Sequence, residues 1–321
     1  MFIFRKDGTF SYTPDNNYTG KDQFTYRIKD NEGNSDTATV TLSVNDGDAP
    51  FLIVVKTDSC LYDDCPKETQ FEIPTTGTDY NYSVDCNNDG INETTGESGN
   101  YICNYDEPGT YTIAIRGDFP QVQFYDTNTT TKLLTVKQWG SRKWRSFEYA
   151  FLSCSSLEEI NATDSPNLLN VTKMDGMFAY TNIFKGGISK WNTSHITTMS
   201  KMFYSAFQFN DNLNLWDTSH VTTMRFMFSF ALGFNQNLNN WDTSNVTNME
   251  MMFQDASAFN QDITDWNTSN VQYMDSMFQN ASAFSNHDLS SWNITNVINH
   301  ENFCDGWGSG NTPPGGWSCD Q

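Results

Sequence analysis

A short polar loop carries oxygen donors at the spacing of a calcium-binding site. The donors occupy loop positions 1, 3, 5 and 9 and are Asp85, Asn87, Asp89 and Glu93. Gly90 stands at the sharp turn, and oxygen atoms at this spacing wrap around one Ca²⁺. Position 12 is Gly96, so the bidentate carboxylate that closes such a loop is missing. A polar β-turn is the alternative, because Asn, Asp and Gly are also the preferred turn residues.

A second set of polar side chains follows a series of tryptophans. Each member stands directly after a Trp, and the members are Asn192, Asp217, Asp242, Asn267 and Asn293. If the segments that carry them lie side by side, they form a row of carboxylates and amides. Such a row suits Ca²⁺, a polar glycan or a basic protein as a ligand. The alternative is that these side chains only cap turns.

Motifs of the common catalytic sites are missing from the sequence. It has no Gly-rich phosphate loop, no GxSxG elbow and no HExxH motif. Of its four His, His195 and His220 occupy the position that Asn245 and Asn270 hold further along the chain. A residue that alternates with Asn is typical of a surface turn. We therefore predict that the protein is not an enzyme.

A fixed period of 25 residues governs the C-terminal half. Trp191, Trp216, Trp241 and Trp266 are 25 residues apart, and Trp292 follows after 26. Met-Phe pairs recur with the same period at 177–178, 202–203, 227–228, 252–253 and 277–278. Such a period indicates repeat units that stack because none can bury its own apolar side chains. We predict that the Trp and Met-Phe side chains form the shared core, although exposed Trp rows also stack on sugars.

Each unit shows the apolar spacing of a short helix. Four residues at i, i+3, i+4 and i+7 are Met249, Met252, Phe253 and Ala256. Residues able to cap the first turn precede them and are Thr243, Ser244 and Thr247. Residues 238–241 are short and extended in character. The predicted fold is an α/β leucine-rich-repeat-like solenoid of 25-residue strand–helical-turn units, preceded by all-β Ig-like N-terminal segments.

The N-terminal residues alternate between apolar and polar side chains, as strands do. The stretches are 10–12, 24–28 and 38–44, with turn residues at 15–17 and 30–34 between them. The segments GTFSYTP at 8–14, GKDQFTY at 20–26 and DTATVTL at 36–42 resemble the end of a cadherin-like, VCBS-type bacterial repeat domain. This resemblance covers about half of such a domain. We therefore expect a chain truncated at its N-terminus, without its signal peptide.

The pattern of apolar residues in 51–118 predicts a second β-rich unit. It opens with the apolar run 51–55, and alternation follows at 80–84 and 111–115. The stretch 80–85, the pair Asp89-Gly90 and the segment 108–113 resemble a PKD-type immunoglobulin-like domain. The Trp-Asp-Phe-Gly-Asp-Gly core of that family is not reproduced. The resemblance implies a spacer domain.

The repeats resemble the BspA-like leucine-rich-repeat surface proteins. Their signature is Trp-Asp-Thr-Ser-Asn-Val-Thr-x-Met-x-x-Met-Phe, and the copies that begin at Trp191, Trp216, Trp241 and Trp266 match it best. The resemblance covers about residues 139–303, with degenerate copies at both ends that suit caps. It implies a bacterial cell-surface protein that attaches to host or environmental ligands, and it implies no reaction.

Cysteine spacing predicts local disulfides. Six of the seven Cys form close pairs, which are Cys60 with Cys65, Cys86 with Cys103, and Cys304 with Cys319; Cys154 is left over. Such pairs are typical of secreted proteins in an oxidising compartment. Reduced thiols in a cytosolic protein are the alternative, and the spacing of a zinc site is not present.

Charge excludes several classes of partner. The formal net charge of −21 repels nucleic acid and anionic lipid. No apolar run approaches the ~20 residues of a membrane span. Aromatic residues make up 15% of the chain, and that content argues against a disordered acidic chain.

These observations predict a multidomain protein. Its parts are a truncated cadherin-like domain (1–46), a linker (47–50), a PKD-like domain (51–125), an N-terminal cap with a degenerate repeat (126–163), the repeats (164–303) and a C-terminal cap (304–321). The predicted function is adhesion or ligand binding at the bacterial surface by a monomer. The ligand is an extracellular protein or glycan, and no cofactor other than possible Ca²⁺ is expected. A purely structural spacer without a specific ligand is the alternative.

Overall fold

The computed structural model describes residues 2–4, 10–12, 20–29, 33, 35–44, 49–59, 68–124 and 129–319. These residues belong to two compact units, Met1–Ala49 and Pro50–Gln321. Some predictions fall on residues outside the described ranges. They are the turn at 15–17, most of the turn at 30–34, half of the linker at 47–50, and the pair Cys60 and Cys65.

The first unit contains two small antiparallel sheets. β1 (Phe2–Phe4) pairs with β2 (Phe10–Tyr12), and β3 (Gly20–Lys29) pairs with β4 (Ser35–Val44). In the second sheet Phe24 is paired with Val40 and Tyr26 with Ala38. The alternating apolar residues of the two strands therefore lie opposite each other on one face, as the period of a strand requires.

The second unit begins with seven strands in two sheets. The larger sheet is antiparallel, with the order β11-β5-β10-β7-β8, and the smaller one pairs β6 with β9. The seven strands are β5 (Phe51–Lys56), β6 (Gln70–Ile73), β7 (Asn81–Asp85), β8 (Thr94–Glu97), β9 (Tyr101–Asn104), β10 (Thr110–Asp118) and β11 (Leu133–Gln138). A disulfide joins Cys86, directly after β7, to Cys103 in β9, with Cα atoms 5.7 Å apart. The bridge therefore ties the two sheets together.

One hydrophobic core runs from these sheets into the repeats. The Phe51 ring lies 5.6 Å from Trp139 and 5.1 Å from Trp144, and Phe151 continues the series 5.4 Å from Phe178. All five rings are fully buried. Because the same cluster of side chains fills both regions, residues 50–321 form one compact unit.

Residues 164–303, which we call the repeat stack, consist of turns joined by single parallel bridges. One series of bridges runs through Lys173, Thr198, Thr223, Asn248, Tyr273 and Asn299. Equivalent core rings stack along the same direction: Phe203 lies 5.5 Å from Phe228, which lies 5.6 Å from Phe253. Trp216, Trp241 and Trp266 are at most 5% exposed, which confirms that these tryptophans belong to the core.

The predicted α/β leucine-rich-repeat solenoid of strand–helical-turn units is wrong. Among the described residues there is no α-helix, and a single 3₁₀ turn at Pro314–Gly316 is the one helical element. Residues 238–241 form no strand, because the Trp241 N–H donates to the Leu238 carbonyl across a turn. The repeats are therefore turns and bridges, in a chain whose other elements are almost all β-strands.

The backbone conformation explains why no helix forms. Met251 has φ 53° and Asp255 has φ 54°, in the left-handed region that a right-handed helix cannot contain. The Phe253 N–H donates to the Met277 carbonyl of the next repeat over 2.9 Å, instead of to a carbonyl four residues earlier. Two successive turns bury Met249, Met252, Phe253 and Ala256 with the spacing that a helix would also give.

The C-terminal end of the stack is held by a second disulfide. Cys304 and Cys319 are bonded, with Cα atoms 5.4 Å apart, and the Trp317 ring stacks on His300 at 4.0 Å.

Cys154 is buried and unpaired. No helix within the described ranges has the length and apolar character to cross a membrane.

Candidate functional site

The calcium-like loop uses its carboxylates to hold its own backbone. Asp85 is fully buried, and its two oxygens accept the N–H groups of Asp89 at 3.1 Å and Gly90 at 2.9 Å. Glu93 accepts the Cys86 N–H at 2.7 Å. The loop thus has the hydrogen-bonding pattern of a polar turn.

The groups around this loop bear on whether it can bind a metal ion. The Arg116 guanidinium lies 3.9 Å from Asp85, so a positive group already faces the buried carboxylate. In the part of the chain that the structure describes, no group of three or more His, Cys, Asp or Glu side chains is placed to hold a metal ion. The predicted calcium site stays a prediction without geometric support.

The polar row beside the tryptophans is exposed and in register, with one member in each repeat. In each member a side-chain oxygen accepts the N–H two residues later. The distances are 3.2 Å for Asn192, 3.0 Å for Asp217, 2.9 Å for Asp242, 3.0 Å for Asn267 and 3.0 Å for Asn293. Hydrogen bonds from the side chain and backbone of Ser219 also lower the pKa of Asp217. These groups therefore cap turns on an exposed part of the repeat stack.

The His side chains of the repeats lie at an exposed turn. His195 contacts Ser194 at 3.1 Å and His220 contacts Ser219 at 3.2 Å. At the equivalent position of the next repeat, Asn245 donates to the Ser219 carbonyl at 2.7 Å. The His rings therefore contact the serine beside them, whereas Asn245 bonds back to the preceding repeat, and both residue types lie at the same exposed turn position.

A different face of the repeat stack carries a cluster of aromatic rings, of which one is exposed and three are half-buried. We call Tyr180, Tyr204, Phe226 and Phe230 the aromatic patch. The Tyr204 ring lies 5.1 Å from Tyr180, 5.9 Å from Phe226 and 6.0 Å from Phe230, each time edge to face. Tyr180 is 49% exposed. Edge-to-face contacts of this kind are a preferred arrangement of aromatic pairs and hold the four rings together at the surface.

The backbone turns present these rings outward. Phe226 and Phe230 have φ of 58° and 59°, and their N–H groups donate to the carbonyls of Glu250 and Gln254 in the next repeat. Left-handed backbone costs a non-glycine residue about 1–2 kcal/mol, and the bonds between repeats stabilise it here. The patch is thus held by the same turns that replace the predicted helix.

Two basic groups border the aromatic patch. The Lys201 ammonium lies 5.5 Å and the Arg225 guanidinium 4.4 Å from the centre of the Phe226 ring, within the range of cation–π contacts. Arg225 also makes two bonds to Glu250, at 2.6 Å and 2.9 Å. Burial raises the pKa of Tyr204, and electrostatic interaction with Tyr180 raises it further, so the phenol stays neutral.

The aromatic patch was missed by the sequence prediction, although a signal was present. Positions equivalent to Phe226 carry Met251 and Ser276 in the next two repeats, and positions equivalent to Phe230 carry Asp255 and Asn280. The sequence shows that these positions vary. Only the structure shows that the variable side chains of neighbouring repeats meet on one surface.

The fold and the site define a repeat protein with a constant buried core and a variable exposed turn face. Residues 145–241 and residues 211–317 each match the family described as Mycoplasma protein of unknown function, DUF285. The matches overlap and together cover more than half of the chain, which therefore belongs to this family.

The N-terminus matches a second family. Residues 1–43 match the bacterial Ig domain, in agreement with the predicted Ig-like character of this segment. The two family matches are compatible with a surface protein, and neither confirms the resemblance to BspA-like leucine-rich repeats. No curated protein and no solved structure matches the chain.

Proposed function

We propose that this protein is a non-enzymatic adhesin of the bacterial surface, which binds an extracellular ligand on the exposed turn face of its repeat stack. The observation that carries the proposal is the aromatic patch. Its four rings, one exposed and three half-buried, form a contiguous apolar surface that reaches water, and surfaces of this kind mark interaction sites. Tyr and Arg are also the residue types that supply most binding energy at interfaces.

The division between core and surface supports a binding role. Equivalent core positions keep their residue type: Met202, Met227, Met252 and Met277 are all fully buried. Exposed positions of the same turns change from repeat to repeat. A rigid array with a variable surface is the arrangement that repeat proteins use to bind ligands.

Several features support a location outside the cell. Two disulfides within one chain are typical of an oxidising compartment. The bacterial Ig domain suits an extended surface protein, and the repeat signature resembles that of surface proteins that attach to host ligands. With a net charge of −21, nucleic acid is a poor partner, so the ligand is an extracellular protein or a glycan.

Binding of the full-length chain to a glycan array and to immobilised extracellular-matrix proteins tests the proposal. The measurements are made with and without Ca²⁺. We expect saturable binding that is lost when Tyr204→Gln and Phe226→Ser are combined, because these changes copy Gln254 and Ser276 from the chain's own later repeats.

A matched variant separates the two candidate surfaces. Asp217→Ala combined with Asp242→Ala removes two members of the polar row, and we expect binding to survive this change. Loss of binding in this variant alone would place the ligand on the polar row. No saturable binding by the folded wild type would favour the structural spacer instead.

A further inference from the structure

Basic residues are confined to the first part of the repeats. Between Trp139 and Arg225 there are eight Lys and Arg against seven Asp and Glu. After Arg225 the chain contains no Lys or Arg and ten Asp and Glu. The aromatic patch therefore lies at the boundary of an acidic surface, on the side where positive charge is still available.

Lys201 is the free positive charge at the aromatic patch. Arg225 is neutralised by its bonds to Glu250. Among the described residues, no carboxylate lies within salt-bridge distance of Lys201, whose ammonium lies over the Phe226 ring. An anionic group bound beside the ring would meet a cation that no protein carboxylate competes for.

The limited size of the patch argues for a small ligand. A stable protein interface needs about 800 Å² on each partner. A protein surface of that size would extend over the next repeats, where Glu250, Asp255 and Asp275 replace basic and aromatic groups. An acidic protein would be repelled there. A short acidic chain that stays within the patch avoids this repulsion.

We propose that the aromatic patch binds a carboxylate-bearing oligosaccharide. The weakly positive C–H face of a sugar ring packs on the exposed Tyr180 and on the solvent-facing parts of Tyr204, Phe226 and Phe230. The sugar carboxylate pairs with the Lys201 ammonium, and the hydroxyl groups stay in water. This inference rests on the proposed function and names its ligand class.

Calorimetry of the full-length chain tests the ligand class. The probes are a hyaluronan hexasaccharide, which carries one carboxylate on every second sugar, and the same hexasaccharide after carboxyl reduction. We expect tighter binding of the carboxylated form. Lys201→Met copies Met251 and should weaken that form about fivefold at low salt, the size of an exposed ion pair, without changing binding of the reduced form.

A second variant tests the rings. Tyr204→Gln, Phe226→Ser and Phe230→Asn together copy the side chains of Gln254, Ser276 and Asn280, and should weaken both hexasaccharides at least ~10-fold. Gln279→Ala, on the polar part of the same face, is the control and should leave both affinities unchanged. Circular-dichroism melts of each variant establish that it is folded.

Three results would overturn the ligand class. They are no binding of either hexasaccharide by the wild type, equal binding of both forms, and binding that survives the triple change. If patch-dependent binding to another array component persists in these cases, the proposed function stands and the sugar is wrong. Binding of an acidic tyrosine-containing peptide in place of the sugars would assign the patch to a protein segment.

Discussion

The repeat stack contains two regions with the same turns and different surfaces. In residues 176–230 the outward positions carry Lys201, Tyr204, Phe226 and Phe230; the equivalent positions in residues 251–280 carry Met251, Gln254, Ser276 and Asn280. The backbone does not change with them, since φ is 58° at Lys201 and Phe226 and 53° and 49° at Met251 and Ser276.

The comparison shows that the fold is specified by the buried positions. Phe203 and Phe253 stack on equivalent rings, at 3.8 Å from Phe209 and 4.0 Å from Phe259, in both regions. The backbone N–H···O=C bonds between repeats are made in both regions and do not depend on the outward side chains. The surface is therefore free to differ between regions, as a binding face requires.

The largest effect is expected from the core, and it should be the same in both regions. Phe203→Ala and Phe253→Ala each remove a fully buried ring, and each should destabilise the second unit by about 3–5 kcal/mol. Urea unfolding followed by tryptophan fluorescence measures both.

Phe207→Ala is the control, because Phe207 is 40% exposed. It should change stability by less than about 0.5 kcal/mol. A cost below about 1 kcal/mol for either buried Phe would show that the two regions are not held by equivalent cores.

Gly176 tests the outward turn position at the start of the stack. A Cβ at this residue would lie 2.5 Å from Cδ1 of Tyr149, and the backbone φ is 60°. Gly176→Ala should cost about 1–2 kcal/mol, from left-handed backbone and displacement of the ring. Thermal melts should show a smaller loss when Tyr149→Ala is added.

Ser276→Ala is the matched change in the second region, where the residue already has a Cβ at a positive φ. It should be close to neutral. An equal loss at both positions would mean that the ring of Tyr149 plays no part.

The binding difference between the regions should be transferable. Met251→Lys, Gln254→Tyr, Asp275→Arg, Ser276→Phe and Asn280→Phe build a copy of the patch, apart from Tyr180, two repeats later. An arginine at position 275 would meet Glu301 as Arg225 meets Glu250, since Glu301 stands in the next repeat.

The copy is made in the triple variant that lacks the original patch. Calorimetry with the carboxylated hexasaccharide should show binding restored to within about tenfold of the wild type. A folded graft with no affinity would show that the ligand depends on residues outside the copied set.

Sequence reasoning identified which side chains of the repeats are buried and with what period. The spacing of Met249, Met252, Phe253 and Ala256 fits a helix and a pair of turns equally well, so the helix was wrong. The deciding factor is the positive φ at Met251 and Asp255. Asp adopts this conformation more often than most non-glycine residues, but the residue type of Met251 does not predict it.

The candidate site was predictable only in part. The Asn or Asp after each Trp is visible in the sequence. Turn capping and ligand binding both use these residue types, so the sequence alone does not separate the two roles. The aromatic patch needs side chains from three repeats, and their proximity follows from the parallel register between turns. The sequence predicted helices and not turns, so it could not predict this register, which the parallel bridges between repeats define.

The smallest effect expected comes from the acidic surface of the second region. Burial, followed by the charges of Glu250 and Glu301, raises the pKa of Asp275. The folded state therefore binds this proton more readily than the unfolded state, and the ionised carboxylate opposes folding above about pH 4. Asp275→Asn should stabilise the protein at pH 7 by less than about 0.5 kcal/mol, because the group is partly exposed. The gain should vanish as the pH falls through 4.

Asp262→Asn is the control of opposite sign, since bonds from Thr264 lower the pKa of Asp262. Its carboxylate supports folding above about pH 4 and loses that contribution below it, so the change should destabilise at pH 7. Thermal melts of both variants are measured between about pH 3 and pH 7, the range in which carboxylates titrate. They show whether each change raises or lowers stability. If both variants moved in the same direction, net charge rather than the local surroundings of each carboxylate would govern the acidic region.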